Sequence, residues 1–562
     1  MRMANVLGKP IDGDNTTIGS DKELAKPDKS SVIPLLEHMS KASLLLKSCI
    51  FILAATPLRP LAAQDTPASP SVPGGPAILT PLSPPTPAIH GARVFGVRPG
   101  APFLYFIAAT GQRPMQYSAD GLPTGLALDG ATGRITGALT QPGSYQVAFH
   151  ARNSLGEASR QFKIIVGDEI GLVPAMGWNS FNTYGVNVNQ AQILAAAHAM
   201  VDTGLAQHGW TYINTDDGWQ GARGGALNAI QPNPGFPDIA GMVQEIHRLG
   251  LKAGIYSTPW VTSYGRRIGG SSQDPDGKWN PSFAKQNPKD HSQTFPFAIA
   301  QYHFDSPDAK QLAAWGFDYL KYDWAPIHAP DAKEMYDALR ASGRDMVFSL
   351  SNNGLYTLLN EIASVSPYAN SWRTTDDVHD KWANVTNSAF NEDAWAQYAR
   401  PGHYNDPDML VIGMIGWGHP HPSRLTPDEQ YTQISMWCLL SAPLILGCDL
   451  RRLDPFTSSL ITNDEVLDVD QDSLGKQATC VSKNGDLNVY AKPLEDGSWA
   501  VGLINRGPAP AQVILNWTDI GLNGPQVVRD LWRQKDAGTF DKQYSAEVAS
   551  HGVELIRVIR AR

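Results

Sequence analysis

The chain is poor in cysteine, with four among 562 residues. That excludes a disulfide-stapled scaffold, which packs cysteine far more densely. It also lacks a basic excess: Lys and Arg number 45 against 54 Asp and Glu, a formal charge of −9. A phosphate backbone is therefore excluded as the main partner, because binding one needs a basic face. No Gly-rich phosphate loop is present to support a nucleotide-binding sheet. Long apolar runs are scarce. The one strongly apolar stretch, near residues 44–55, is too short and too soon broken by Pro57 and Pro60 to span a bilayer. Charged residues are few, at 18%, and hydrophobic ones make up 42%, so most of the chain can bury a core. The length predicts several domains.

That apolar stretch has the build of an export signal. Lys41 and Lys47 precede or interrupt it, and Ala62-Ala63-Gln64 follows as a small-residue cleavage site. Residues 1–64 therefore read as a polar extension plus signal peptide, with translation expected to start at Met39. The mature protein is expected outside the cytoplasm, periplasmic or released, without a lipid anchor. Cleavage would remove Cys49 and leave Cys438, Cys448 and Cys480, an odd number; the first two lie in apolar surroundings and read as small buried hydrophobes.

Residues 65–88 form a Pro-rich linker, including Ser83-Pro84-Pro85-Thr86-Pro87. Residues 89–168 carry short alternating runs between Gly, Pro and Asn turns, the pattern of a small β-sandwich. Their Gly121–Gly137 stretch resembles immunoglobulin-like modules found beside bacterial surface and carbohydrate enzymes, and a spacer or weak binding role is expected of it. From 172 to 474 strand-like runs (174–178, 211–215, 252–256, 317–322, 345–350, 371–373, 443–446) alternate with amphipathic helical ones (191–203, 239–249, 307–315, 332–341, 427–439). Such alternation gives a doubly wound sheet or a (β/α)8 barrel; the length and the acids closing several strands favour the barrel, whose site is built at strand C-termini. Residues 475–562 return to period two and read as an antiparallel β-sandwich.

The chemistry concentrates at those strand ends. In Tyr319-Leu320-Lys321-Tyr322-Asp323, alternation puts Lys321 and Asp323 on one face. A cation there is expected to keep the carboxylate ionised, as a nucleophile requires. Trp372-Arg373-Thr374-Thr375-Asp376-Asp377 offers a second carboxylate, whose neighbour would raise its pKa as suits a general acid. The alternatives are a surface ion pair and a solvated loop. Two carboxylates from different strands are what glycoside hydrolysis needs. In Asp216-Asp217-Gly218-Trp219 the acids suit sugar hydroxyls and the indole suits a ring face; no further His or Asp stands at metal-ligand spacing, and no metal or cofactor is expected. Asn405-Asp406-Pro407-Asp408 is turn chemistry, open between a structural loop and a pocket role. His403, His419 and His421 are scattered and read as packing or solvent residues.

Taken in order, Met176-Gly177-Trp178-Asn179-Ser180-Phe181, Asp216-Asp217-Gly218-Trp219, Gly254-Ile255-Tyr256, Tyr319–Asp323, Trp372-Arg373 with Asp377, and Asn405–Gly413 resemble glycoside hydrolase family 27. That family comprises α-galactosidases and α-N-acetylgalactosaminidases. The resemblance covers roughly residues 172–480 plus a C-terminal sandwich of the family type. It implies a retaining hydrolase with Asp323 as nucleophile and Asp377 as acid/base. It implies Asp216, Asp217, Lys321 and Arg373 on sugar hydroxyls, Phe181 and Tyr256 in the pocket, and Asp408 beside them. Gly218 and Ala325 stand where animal and plant relatives carry cysteine. Ser351-Asn352-Asn353-Gly354 occupies the loop that in relatives distinguishes a 2-hydroxyl from a 2-acetamido group, and matches neither pattern. Residues 262–303 form an insertion after Tyr256 that either shapes the site mouth or is a passive loop. The expected substrate is a galactose-containing oligo- or polysaccharide. β-L-Arabinopyranosides, N-acetylgalactosaminides and a non-catalytic carbohydrate-binding barrel are the alternatives.

Overall fold

The computed structural model describes residues 76–286, 294–351 and 355–561. The expected leader and residues 65–75 of the Pro-rich linker lie outside them, as do Asn352, Asn353 and Gly354.

The centre is an eight-stranded parallel sheet in sequential order: β1 (Met176–Asn179), β2 (Tyr212–Thr215), β3 (Lys252–Ser257), β4 (Tyr319–Asp323), β5 (Val347–Ser351), β6 (Ser371–Arg373), β7 (Tyr404–Asp406) and β8 (Leu444–Leu446). β8 pairs back onto β1, from Met176 opposite Leu444. The circle closes where Leu410, just past β7, bridges in parallel to Leu446, its amide donating to Ile445 O at 2.8 Å. The (β/α)8 barrel expected from the alternation is thus present.

Its helices follow from local chemistry. α1 (Gln190–Asp202) starts with a reciprocal Asn189–Gln192 capping box, which satisfies two orphan amides. In α2 (Ile239–Arg248) the buried residues are Ile239, Met242, Val243 and Ile246, an i, i+3, i+4, i+7 stripe laid on the sheet. α3 (Asp305–Trp315) and α4 (Ala329–Ala341) flank β4 in sequence. α5 (Leu355–Val365) and α6 (Trp382–Ala389) were not anticipated from sequence. α7 (Pro427–Leu440) opens with a Thr426–Glu429 capping box and is buried almost all round, so it carries little amphipathic signal.

The N-terminal module packs a four-stranded sheet (Val94–Val97, Gly156–Val166, Gly143–Asn153, Gln116–Asp120) against a three-stranded one, around a core containing Ile135, Phe149, Phe162 and Ile164. It sits under the barrel, at the strand N-termini. Arg98 donates to Arg340 O and Arg344 O at 2.9 and 2.7 Å and pairs with Asp345 beneath β5. The C-terminal sandwich sets a six-stranded antiparallel sheet against the pair Ala511–Asn516 and Gln543–Val548. Both flanking domains leave the strand C-termini free for the site.

Candidate active site

The polar strand ends converge at the barrel mouth. From β1, Asn179 Nδ2 donates to Asp216 Oδ2 at 2.7 Å, and Ser180 Oγ accepts from the Asp216 amide at 2.9 Å. From β4, Lys321 Nζ reaches the same Asp216 Oδ2 at 2.8 Å. Asp216 is thereby locked just past β2. Its neighbour Asp217 is held from another direction. Ser263 Oγ donates to Oδ1 at 2.9 Å and the Gly265 amide to Oδ2 at 2.5 Å. Burial still pushes the Asp217 carboxyl up to about 6, against those hydrogen bonds.

Asp323 closes β4 and is 6% exposed. Its Oδ1 has no hydrogen-bond partner among the described residues, nor has the hydroxyl of the neighbouring Tyr256 at the end of β3. Burial raises Asp323 to about 7; Lys321 pulls it down, and Asp216 and Asp377 push it up. Lys321 Nζ lies 5.7 Å from the centroid of the Tyr256 ring. Ser351 ends β5 directly opposite Asp323 in register and is buried.

Arg373 ends β6 and bridges two acids. Nη1 lies 3.0 Å from Asp408 Oδ1, and Nη2 lies 3.3 Å from Asp377 Oδ1. The Asp377 side chain is 66% exposed, at the pocket lip. Burial acts to raise it, but Arg373 and then Lys321 outweigh that and hold it below the usual carboxylate range. Asp408 accepts from the Val378 amide at 2.8 Å and so anchors the segment that carries Asp377. It does this with φ +82°, a left-handed conformation few non-glycine residues adopt. Asp406, raised to about 6 by burial, accepts from the Asp408 amide at 2.9 Å. Phe181, half-buried, follows β1 on a one-turn helix with its amide donated to Asn179 Oδ1.

Six carboxylates (Asp216, Asp217, Asp323, Asp377, Asp406, Asp408) therefore share this mouth with two cations, Lys321 and Arg373. An excess of acidic groups, all of them buried except Asp377, suits a reaction whose transition state is cationic at carbon.

Residues 288–472 match the family described as Alpha galactosidase A, 484–558 its C-terminal beta sandwich domain, and 85–167 an Ig domain. α-Galactosidase 2 of Arabidopsis thaliana is 36% identical over 410 residues, covering 72% of this chain and 93% of that protein. The chain belongs to the α-galactosidase family. A candidate α-galactosidase structure from Bacteroides fragilis aligns with a TM-score of 0.75 at 31% identity, covering 85% of this chain and 98% of that one. A family 27 β-L-arabinopyranosidase from Geobacillus stearothermophilus aligns at 0.59 and 27% identity, over 69% and 97%.

Set on this α-galactosidase scaffold, Asp216, Asp217, Tyr256, Lys321, Asp323, Ser351, Arg373, Asp377 and Asp408 all stand at the strand ends or on the segments leaving them. Three expectations need correction. Trp219 was expected on a sugar face, but its indole is 2% exposed, donates Nε1 to Tyr256 O at 2.8 Å and packs edge-on against Trp315 of α3. It supports the pocket wall from behind. Lys321 was expected to keep Asp323 ionised; its ammonium is bonded to Asp216 instead, and burial of Asp323 prevails. Asp377 was expected to be raised by an adjacent carboxylate; the group facing it is the Arg373 guanidinium, which lowers it.

Sequence reasoning missed Ser263 and Gly265. The insertion folds back so that its first turn grips Asp217; Arg267 N donates to Ser263 Oγ at 3.0 Å and completes the grip. A Cβ on Gly265 would stand 2.6 Å from Asp217 Oδ2, so only glycine allows this approach. It also missed Glu392, whose Oε1 accepts from Thr374 Oγ1 at 2.8 Å just past β6, while burial raises it to about 8.

Among the described residues, His303, Asp305 and Glu334 are close enough to share a metal ion. They lie behind β4, on the outward face reached by Tyr322 rather than in the pocket. His303 pairs with Glu334 at 2.7 Å, and Tyr322 donates its hydroxyl to Asp305 at 2.8 Å.

Proposed function

We propose that the protein removes terminal α-D-galactosyl residues from oligo- or polysaccharides by double displacement. The observation that carries this reading is Asp323: a buried carboxylate at a strand end, one oxygen without a partner, with Asp377 close enough to perturb it. Asp323 attacks the anomeric carbon while Asp377 protonates the leaving oxygen; a glycosyl ester forms on Asp323. Asp377 then takes a proton from water, which cleaves the ester and returns the sugar with its original anomeric configuration. Asp216, Asp217 and Lys321 are already bonded to one another or to the insertion, so they receive the sugar hydroxyls without reorganising. Neither of the two carboxylates that this mechanism requires is replaced in the sequence, which favours a hydrolase over an inactive carbohydrate-binding barrel.

Galactosides are preferred over β-L-arabinopyranosides because Asp216, shorter than Glu and drawn back by Asn179 and Lys321, leaves room for the exocyclic CH2OH. Export on the leader near residues 39–64 belongs to the same reading, tested by N-terminal sequencing of the mature protein. The deciding assay compares p-nitrophenyl α-D-galactopyranoside, β-L-arabinopyranoside and N-acetyl-α-D-galactosaminide, with Asp323→Ala as control. Turnover is expected on the galactoside, with retention of configuration, and to be abolished in the variant. A variant with full turnover, or an inverted product, overturns the mechanism.

A further inference from the structure

Away from the catalytic mouth, where the N-terminal module meets the barrel floor, lies a second cavity of about 110 Å³. A single water needs only about 10–15 Å³, so the space takes a small organic molecule. Its walls are mainly apolar, with Phe95 and Leu104 from the module and Leu172, Met176 and Tyr212 from the barrel. Lys252, the first residue of β3, extends along this wall. Its Nζ lies 4.2 Å from the centroid of the Phe95 ring and 5.6 Å from that of Tyr212. Among the described residues the ammonium has neither a carboxylate nor a hydrogen-bond partner.

The two acids on the same wall are already matched. Asp318 lies 2.8 Å from His247 Nε2 and accepts from Arg344 Nη2 at 2.6 Å and from the Ala253 amide at 2.9 Å. Asp345 takes the Arg98 guanidinium and its amide, the latter at 2.8 Å. With Arg98 and Arg344 set against Asp318 and Asp345, Lys252 is one positive charge in surplus. An unpaired ammonium among hydrocarbon and rings is unfavourable, and aromatic faces offset only part of that. A concave apolar site with one convergent charged group is the usual form of a small-molecule pocket.

We propose that this cavity binds a small apolar monocarboxylic acid, its carboxylate on Lys252 Nζ and its hydrocarbon body against Phe95, Leu104 and Met176. A single cation without a carboxylate partner selects a monoanion, and the unpartnered Ser371 hydroxyl on the same lining adds no charge. The apolar walls select a hydrocarbon body over a sugar. Burial lowers Lys252 to about 8, which leaves it charged at neutral pH.

The test uses the full chain at pH 7 with benzoate as probe, read by titration calorimetry and by the thermal shift of the protein. Benzyl alcohol, of similar shape but uncharged, is the comparison. Benzoate is expected to bind and to raise the unfolding temperature with concentration, while galactoside turnover is unchanged. Lys252→Met is expected to weaken benzoate at least tenfold. Leu104→Trp, which fills the cavity and keeps the ammonium, is expected to do the same, so the outcome does not hang on one variant's folding. Absence of benzoate binding at tens of millimolar, equal binding of benzyl alcohol, or undiminished binding in both variants overturns the proposal.

Discussion

Replacing Ser263 by alanine tests whether the insertion after β3 is part of the pocket. Ser263 is fully buried, and its Oγ donates to Asp217 Oδ1 at 2.9 Å while accepting from the Arg267 amide at 3.0 Å. A hydrogen bond to a charged group contributes about 1.5–3 kcal/mol. At about 1.4 kcal/mol per decade, its loss predicts a fall of about 10- to 150-fold in kcat/KM for an α-galactoside. The Gly265 amide remains on Oδ2, so Asp217 is loosened rather than released. The direction of the pH effect also follows. The hydrogen bond from Ser263 lowers an Asp217 already raised to about 6, so in Ser263→Ala this carboxyl titrates higher and the acid limb of kcat/KM moves up. The assay is kcat/KM against pH, with thermal unfolding measured separately so that lost stability is not mistaken for lost binding. Ser272→Ala, also in the insertion but bonded away from Asp217 (its Oγ donates to Lys278 O at 3.4 Å and accepts from the Asp274 amide at 3.0 Å), serves as control and should leave turnover unchanged. A Ser263→Ala enzyme within twofold of the parent, with the same pH profile, would falsify the idea that the insertion positions Asp217.

Three further outcomes are expected. Because Asp377 is held low and Asp323 lies at about 7, the pair carries one proton between those values, resting mostly on Asp323, so the reactive arrangement with that proton on Asp377 is the minor one; above about 7 the proton is lost from both, kcat/KM should fall through a basic limb there, and activity sustained to pH 9 would contradict the assignment. Arg223→Met breaks a buried bidentate pair, Nη1 and Nη2 at 2.6 and 2.8 Å from the Asp308 oxygens, and strands the carboxylate; denaturant unfolding should show a loss of about 3–5 kcal/mol. Glu392 has a folded value raised from 4.5 to about 8, so it ionises more readily once unfolded and wild-type stability is eroded as pH rises from about 4.5 to about 8. Glu392→Gln should flatten that part of the stability profile, which melting curves from pH 5 to 8 would show.

What the sequence makes legible here is whatever a single element encodes. Strand period two places Lys321 and Asp323 on one face of β4 without any tertiary knowledge, and the structure leaves Tyr322 to point the other way, onto Asp305. The amphipathic stripe of α2 is visible for the same reason. β7 is not, because three residues running into Asp-Pro-Asp look like a turn; the pairing of Trp372 with Asn405 in the ladder makes it a strand. The electrostatics were illegible for a different cause. Asp376 is next to Asp377 in sequence, yet what decides the Asp377 proton is Arg373 folding back between it and Asp408, a residue 30 positions away from Val378, whose amide Asp408 binds. Ser263 reaches Asp217 across 46 residues, and its grip has no local signature at all. Strand ends can thus be read as an inventory of chemical groups, but barrel closure decides which faces which, and here that closure sets the surroundings of Asp323 and Asp377. The left-handed Asp408 is the visible cost of that arrangement, a conformation worth on the order of 1–3 kcal/mol, held because Arg373, the Val378 amide and Trp437 Nε1 at 2.6 Å all bind this one residue.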